Sequence, residues 1–288
     1  MCLCQLLDEF SITHQDIYNY DESGFRIGCA RAQYIVTRFP YRQSQLLSSE
    51  NLESVTVGET ISGDGKVLPP LVILSGQFHL EGWINNSLED DVLMAVSETG
   101  YINDGLALAW LKHFDEFSAK RQVGAWRLLL LDGYGSHITK EFLDYCDNNR
   151  ILLYVLLPHA THFLQPLDVV GFQPYKHWHK EAIDAATRTG CTNFNKTEFL
   201  AALQSIRAET SKKSTILSAW KQTGLIPWNP DVVVEAICAL VVTQPRTPSP
   251  PKTPPPDLVE TPSTSTALQK LALQLVNNDQ LDLNNVTT

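Results

Sequence analysis

Two aspartates follow apolar segments in the middle of the chain, where their carboxylates could bind a divalent cation. Asp132 comes directly after the apolar run Leu128–Leu131, and Asp168 closes the segment LQPLD, with 35 residues between the two aspartates. A short apolar run bounded by turn formers is typical of a buried strand. Magnesium takes oxygen ligands and usually one or two carboxylates. The alternative is that Asp132 caps a turn and Asp168 caps a helix, because aspartate is common in both places.

A third candidate acid, Asp21, lies in the segment IYNYDESGF. Aromatic and β-branched residues alternate with polar residues there, which predicts a strand from residue 17. Asp21 is expected near the end of that strand, before Gly24. Asp16 and Glu22 compete with it as the functional acid, and an acid in a turn that ends the strand is the simpler alternative.

The segments around these acids predict a mixed α/β fold. With the strand at residue 17, strands at 54–62 and 68–76 form a three-stranded meander, whose second turn is Gly63-Asp64-Gly65. Residues 83–104 are expected to be loop-rich. Asn103 and Asp104 can cap a helix over 105–120.

The second half of the chain predicts a parallel strand–helix–strand unit followed by helices. The strand at 128–131, a helix at 140–149 and a buried strand at 151–157 form this unit. Its helix begins after Thr139, and its inward side chains are predicted to be Phe142, Leu143 and Cys146. A helix follows over 166–187, which Pro174 is expected to bend or break. Two more helices span 196–223 and end at Gly224.

Composition limits the classes of function. The formal net charge is −10, which argues against a broad nucleic-acid-binding surface. No run of 18 apolar residues occurs, so we expect no membrane span. The six cysteines are scattered along the chain and complete no zinc motif, so reduced thiols are expected.

Five segments together resemble the DDE superfamily endonuclease domain of pogo-like and Tigger-like transposases, in the fungal-type branch of the mariner superfamily. These segments are IYNYDESGF, GDGKVLPPLVILSG, LLLLDGYGSHIT, LPHATHFLQPLDVVGFQPYK and SAWKQTGLIPWNP, in the order of the family. The resemblance implies a ribonuclease-H-like mixed sheet flanked by helices, with C-terminal helices and a disordered tail. The predicted parts are a remnant N-terminal helix (1–16), the endonuclease domain (17–232), an apolar end segment (233–242) and a Pro/Thr/Ser-rich disordered tail (243–288).

The same resemblance implies that Asp21, Asp132 and Asp168 are the catalytic and metal-binding acids. Two Mg²⁺ or Mn²⁺ ions would activate the attacking oxygen and stabilise the leaving oxygen during DNA cleavage and strand transfer. Asp21 would bridge both ions, with Asp132 on one and Asp168 on the other. The implied partner is DNA and the implied location is the nucleus, with self-association as a further expectation. Neither a membrane nor a small-molecule cofactor is expected.

Weaker DNA-contact candidates follow from the resemblance and from a modest basic stripe on the helix predicted over 166–187. They are His137, Gln165, Lys176 and Lys180, with His177 and His179 in the same stripe. The alternatives are turn chemistry for His137, loop shaping for Gln165 and a solvated helix face for the lysines.

The chain departs from a full pogo-like transposase at its start. Only 20 residues precede Asp21, which leaves no room for the helix-turn-helix domains that read transposon ends. We therefore expect a fragment, a decayed copy or a repurposed catalytic domain. A non-catalytic module that associates with nucleic acid or protein remains the alternative function.

Overall fold

A central six-stranded sheet organises the computed structural model, which describes residues 3–27, 53–84, 88–132, 139–156, 161–191 and 194–243. Met1–Ala239 form one compact unit, and Leu240–Thr288 form a second unit, described only to residue 243. The strands are β1 (Ile17–Ile27), β2 (Glu53–Ser62), β3 (Leu71–Ser75), β4 (Leu93–Ser97), β5 (Arg127–Leu131) and β6 (Ile151–Val155). The helices are α1 (Leu3–Glu9), α2 (Glu81–Ile84), α3 (Asp104–Ala119), α4 (Lys140–Asn148), α5 (Thr161–Leu164), α6 (Phe172–Arg188), α7 (Lys196–Thr210), α8 (Lys213–Gln222) and α9 (Asp231–Thr243).

The strand order across the sheet is β4-β3-β2-β1-β5-β6. The first three strands pair antiparallel as the predicted meander. β5 lies parallel to β1, and β6 lies parallel to β5. This is the mixed sheet of the ribonuclease-H-like fold with β4 added at one edge, so the predicted fold class is confirmed.

Alternation along β1 gives the sheet a different core on each face. Tyr18 and Tyr20 pack on one face with Trp110 and Phe114 of α3. Phe25 packs on the other face against aromatic side chains of α6 and α7. Successive side chains of a strand point to opposite faces, so β1 is covered on both sides.

The βαβ unit formed as predicted, with two apolar side chains placed differently. Thr139 caps α4 by accepting a hydrogen bond from the backbone N–H of Phe142 at 3.2 Å. Leu143 was predicted to point inward, but it is 41% exposed. Val155 was predicted to be buried in β6, but it is 42% exposed because β6 is an edge strand.

Several element boundaries differ from the predictions. β1 continues through Gly24 to Ile27, since β2 pairs with it over its whole second half. The loop-rich prediction for 83–104 missed β4, a short strand that pairs with β3. The helix predicted over 166–187 is divided into a π-helical turn, Leu167–Gly171, and α6. Pro174 lies in the first turn of α6, and the division between the two helical segments comes just before it.

The two helices predicted over 196–223 are α7 and α8, which pack against the sheet. Asn195 and Glu198 form a capping box at the start of α7, and Gly224 follows α8 with φ +65°. Cys146 and Cys238 are free thiols. No helix among the described residues is long and apolar enough to cross a membrane. The predicted disordered tail after residue 243 lies outside those residues.

Candidate active site

The first two candidate acids lie level with each other on neighbouring parallel strands. Asn19 of β1 is in register with Leu130 of β5. Asp21 lies two residues after Asn19, and Asp132 lies two residues after Leu130, directly after β5 ends. Because the strands are parallel, both aspartates reach the same part of the sheet edge. Both side chains are partly buried.

The third acid, Asp168, is carried on the π-helical turn that is anchored to β1. The backbone N–H of Leu167 donates to Oδ1 of Asn19 at 3.1 Å. The side chain of Gln165 donates from Nε2 to the backbone carbonyl of Tyr20 at 3.3 Å. These bonds hold the turn next to the strand that carries the first acid. Asp168 itself is exposed, so the site opens to solvent on this side.

Asn19 joins the three segments that carry the acids. Its side chain is fully buried. Nδ2 donates to the backbone carbonyl of Leu130 at 3.3 Å and to that of Tyr20 at 3.2 Å, while Oδ1 accepts from Leu167. Sequence reasoning did not single out this residue, because two of its three partners, Leu130 and Leu167, lie more than a hundred positions away along the chain.

The electrostatics of Asp21 indicate that the acids share one neighbourhood. Burial raises its pKa well above the ordinary value, and the negative charges of Asp168 and Asp132 raise it further. The backbone N–H of Glu22 donates to Oδ1 of Asp21 at 2.8 Å and acts in the opposite direction. The other oxygen, Oδ2, is buried and accepts no hydrogen bond from a described residue.

Glu22 is a fourth carboxyl at this edge, on the opposite face of β1 from Asp21. Burial raises its pKa to about 7, a hydrogen bond with Tyr20 lowers it, and the charge of Asp132 raises it. Glu22 was a competing candidate for the first acid, and the structure places both residues near Asp132.

The other competing acid, Asp16, has a structural role. It is buried before β1 begins, where it accepts hydrogen bonds from the backbone N–H groups of Val123 and Gly124 at 3.0 and 2.7 Å. It therefore fixes the loop before β5 and lies at the other end of β1 from the candidate site.

The donor chemistry of the site suits a hard cation. Oδ2 of Asp21 is a buried oxygen with no hydrogen bond from a described residue, and the neighbouring groups are carboxylates. As they stand, no three acidic, histidine or cysteine side chains within the described ranges are close enough to hold one ion. Magnesium retains several waters and needs only one or two carboxylates, so the aspartates fit an open site and do not form a closed cage.

The predicted DNA-contact residues separate into three groups. Lys176 and Lys180 are exposed on α6, as a contact with DNA requires. Gln165 is 1% exposed, so its bond to Tyr20 gives it a positioning role inside the protein and corrects the idea that it touches DNA. His137 lies outside the described residues.

The predicted basic stripe on α6 is narrower than expected. His177 is exposed, but His179 is buried against Phe25, Phe194 and Phe199. Burial lowers the pKa of His179 to about 4, so it is neutral at physiological pH. His179 is a core residue, and its inclusion in the stripe was wrong.

Residues 52–220 match the family described as DDE superfamily endonuclease. This match covers more than half of the chain and contains Asp132 and Asp168. The chain is also 27% identical over 173 residues to the human protein named Pogo transposable element with ZNF domain, a match that covers 52% of this chain and 12% of that protein.

A second curated relative comes from Cochliobolus lunatus and is named MFS-type transporter clz9. It is 32% identical over 236 residues, and the match covers 82% of this chain and 26% of the relative. The chain thus spans about a quarter of this relative and about an eighth of the human one.

Solved structures with a similar arrangement include two complexes of Mos1. The strand transfer complex has a TM-score of 0.48 at 12% identity, covering 82% of this chain and 58% of that chain. The mariner Mos1 paired end complex with Mg has a TM-score of 0.48 at 12% identity, covering 82% of this chain and 59% of that chain.

Proposed function

The chain belongs to the DDE superfamily endonucleases of the pogo and mariner group, and from this premise we propose that it cleaves and joins DNA strands with divalent cations held by Asp21, Asp132 and Asp168. The observation that carries the proposal is the bonding of Asn19 to all three acid-bearing segments. A site dedicated to one reaction needs its ligands fixed on rigid elements.

The proposed roles follow from the position of each carboxylate. Two bound Mg²⁺ or Mn²⁺ ions would supply an activated attacking oxygen and a stabilised leaving oxygen. Asp21 would hold the cations together with Asp132 and the exposed Asp168. Its Oδ2 is buried and accepts no hydrogen bond from a described residue, while the N–H of Glu22 donates to Oδ1.

The proposed DNA contact is limited and electrostatic. Lys176 and Lys180 are exposed on the helix that follows Asp168 and would bind phosphates next to the reacting bond. The net charge of −10 opposes a broad DNA-binding surface, so binding should be weak and should fall steeply with salt. The proposed function includes self-association, because transposition brings two DNA ends together. It also includes a nuclear location, because the DNA is chromosomal.

The test is nicking of supercoiled plasmid at low salt by the wild type and by Asp21→Ala, Asp132→Ala and Asp168→Ala. The wild type should nick slowly and without sequence preference with Mn²⁺ or Mg²⁺. It should not nick with Ca²⁺, whose looser coordination suits in-line transfer poorly. Each alanine variant should lose nicking, whereas Asp144→Asn, which changes an exposed acid on α4, should keep it.

Two results would contradict the proposal. If an alanine variant nicks as fast as the wild type, that aspartate is not catalytic. If the wild type does not nick even when it is fused to a DNA-binding domain, the chain is a non-catalytic module. Asp132→Asn tests cation binding without a cleavage assay. Mn²⁺ should raise the melting temperature of the wild type by mass action, and this variant should abolish that rise.

A further inference from the structure

Glu59 of β2 lies directly opposite Asp21 of β1. Directly opposite residues of an antiparallel pair project from the same face, with Cβ atoms about 5 Å apart. Glu59 is only 3% exposed, and like charges in this arrangement repel each other. The structure therefore places a further buried acid beside the central residue of the proposed metal site.

Arg207 of α7 balances the charge of Glu59. Its Nε donates to Oε1 of Glu59 at 2.8 Å, and its Nη2 donates to Oε2 at 3.1 Å. Nη2 also donates to the backbone carbonyl of Leu68 at 3.1 Å, and the hydroxyl of Tyr175 donates to Oε1 of Glu59 at 3.2 Å. Two parallel bonds from a guanidinium fix both the position and the direction of a carboxylate.

The pair of Glu59 and Arg207 differs from an ordinary surface salt bridge because it is buried and because it lies beside Asp21. Arg207 is 8% exposed, so water screens the two charges poorly. Together they contribute almost no net charge beside Asp21. Removing either partner would leave one unscreened charge across the strand pair from that aspartate, and the sign of that charge depends on which partner is removed.

We propose that Arg207 is a positioning residue of the metal site, which holds Glu59 in a neutral pair and so keeps the negative charge of Glu59 from acting on cations at Asp21. The three aspartates are then left as the acidic ligand set. This inference rests on the proposed function, because it concerns the affinity of the same site for its cations.

The experiment measures Mn²⁺ affinity by isothermal titration for Arg207→Met, Glu59→Gln and the double variant. Arg207→Met should tighten Mn²⁺ binding by on the order of tenfold, because Glu59 then adds a negative charge at short range. Glu59→Gln should weaken binding by about the same factor, because arginine stays protonated in proteins and repels the cation. A purely structural role would weaken binding in both single variants.

The double variant keeps the test decisive if one of the single variants does not fold. An uncompensated buried charge is strongly destabilising, whereas removal of both partners is often nearly neutral. If Arg207→Met does not fold, the comparison of Glu59→Gln with the double variant still decides. The double variant should return to within about threefold of the wild-type affinity, since neither unpaired charge is left.

A second buried pair is the matched control. Arg127 donates from Nη2 to Oδ1 of Asp115 at 2.6 Å, at the end of β5 remote from Asp132. Arg127→Met should lower stability without changing Mn²⁺ affinity. Mn²⁺ binding by the wild type, but not by Asp21→Asn, would support the metal site itself. In that case, Mn²⁺ affinities that change in the same direction in Arg207→Met and Glu59→Gln, or that do not change, would overturn this inference alone. If the wild type binds no Mn²⁺, the proposed function and this inference both fail.

Discussion

Replacement of Glu22 with glutamine should stabilise the metal-free protein at pH 8 and leave its stability at pH 4 unchanged. Burial raises the pKa of Glu22 from 4.5 to about 7, a hydrogen bond with Tyr20 lowers it, and the charge of Asp132 raises it. Between these pKa values the folded state binds more protons than the unfolded state, so the free energy of unfolding falls as pH rises. Glutamine keeps an oxygen for the Tyr20 hydroxyl but does not titrate.

The expected size follows from the two pKa values. One pKa unit corresponds to about 1.4 kcal/mol, so the interval from 4.5 to about 7 corresponds to about 3 kcal/mol. The difference develops between pH 4.5 and about 7, where the carboxyl is ionised in the unfolded state but still protonated in the folded state, and it is complete above about pH 7. Against a typical domain stability of about 5–15 kcal/mol, this change is large enough to measure.

The assay is urea unfolding in EDTA at several values between pH 4 and pH 8, followed by tryptophan fluorescence. The free energy of unfolding of Glu22→Gln, minus that of the wild type, should grow from near zero to about 3 kcal/mol. Glu235→Gln, which changes an exposed acid on α9, should follow the wild type at every pH. Parallel curves for Glu22→Gln and the wild type would refute the reasoning, because Glu22 would then not titrate in this range.

Two other predictions concern the packing beside the site. Gly58→Ala should destabilise the protein by about 1–3 kcal/mol in urea unfolding, because an added Cβ would lie 2.5 Å from the hydroxyl of Tyr20; Gly24→Ala, with no atom within 4 Å, should change stability much less. His179→Gln should remove a loss of stability between pH 6.5 and about 4, because burial holds the folded-state pKa of His179 near 4 and protonation then favours the unfolded state. His177→Gln, an exposed change on the same helix, should retain that acid-dependent loss, and equal acid sensitivity of both variants would contradict the assignment.

Local patterns were sufficient to predict most of the sheet. The glycine-rich turn after β2 and the apolar runs of β5 and β6 have clear period and boundary signals. β4 lacks such a signal, because its five residues become a strand only by pairing with the open edge of β3. β1 extends past Gly24 for the same reason, since the backbone of β2 continues the ladder that a glycine was expected to end.

Motifs were sufficient to select the three aspartates as candidates, but not to predict the residues that hold their segments together. In the sequence, Asn19 is one polar residue in an alternating strand, and Arg207 is one charged residue in a predicted helix. Their roles depend on partners far away in the sequence, Leu130 and Leu167 for Asn19 and Glu59 for Arg207. Leu143 shows that the apolar pattern of a helix can also predict too much burial. It was predicted to point inward, but it lies at the surface.

The bonds of Asn19 have a consequence for the thermodynamics of cation binding. They close chain segments of 111 and 148 residues when the protein folds, so the conformational entropy of bringing the acids together is lost at that stage. For the proposed metal site, folding therefore fixes the segments that carry the acids before a cation binds. Because apparent affinity is the intrinsic affinity multiplied by the fraction of binding-competent molecules, fixing these segments in advance would raise the apparent affinity of that site.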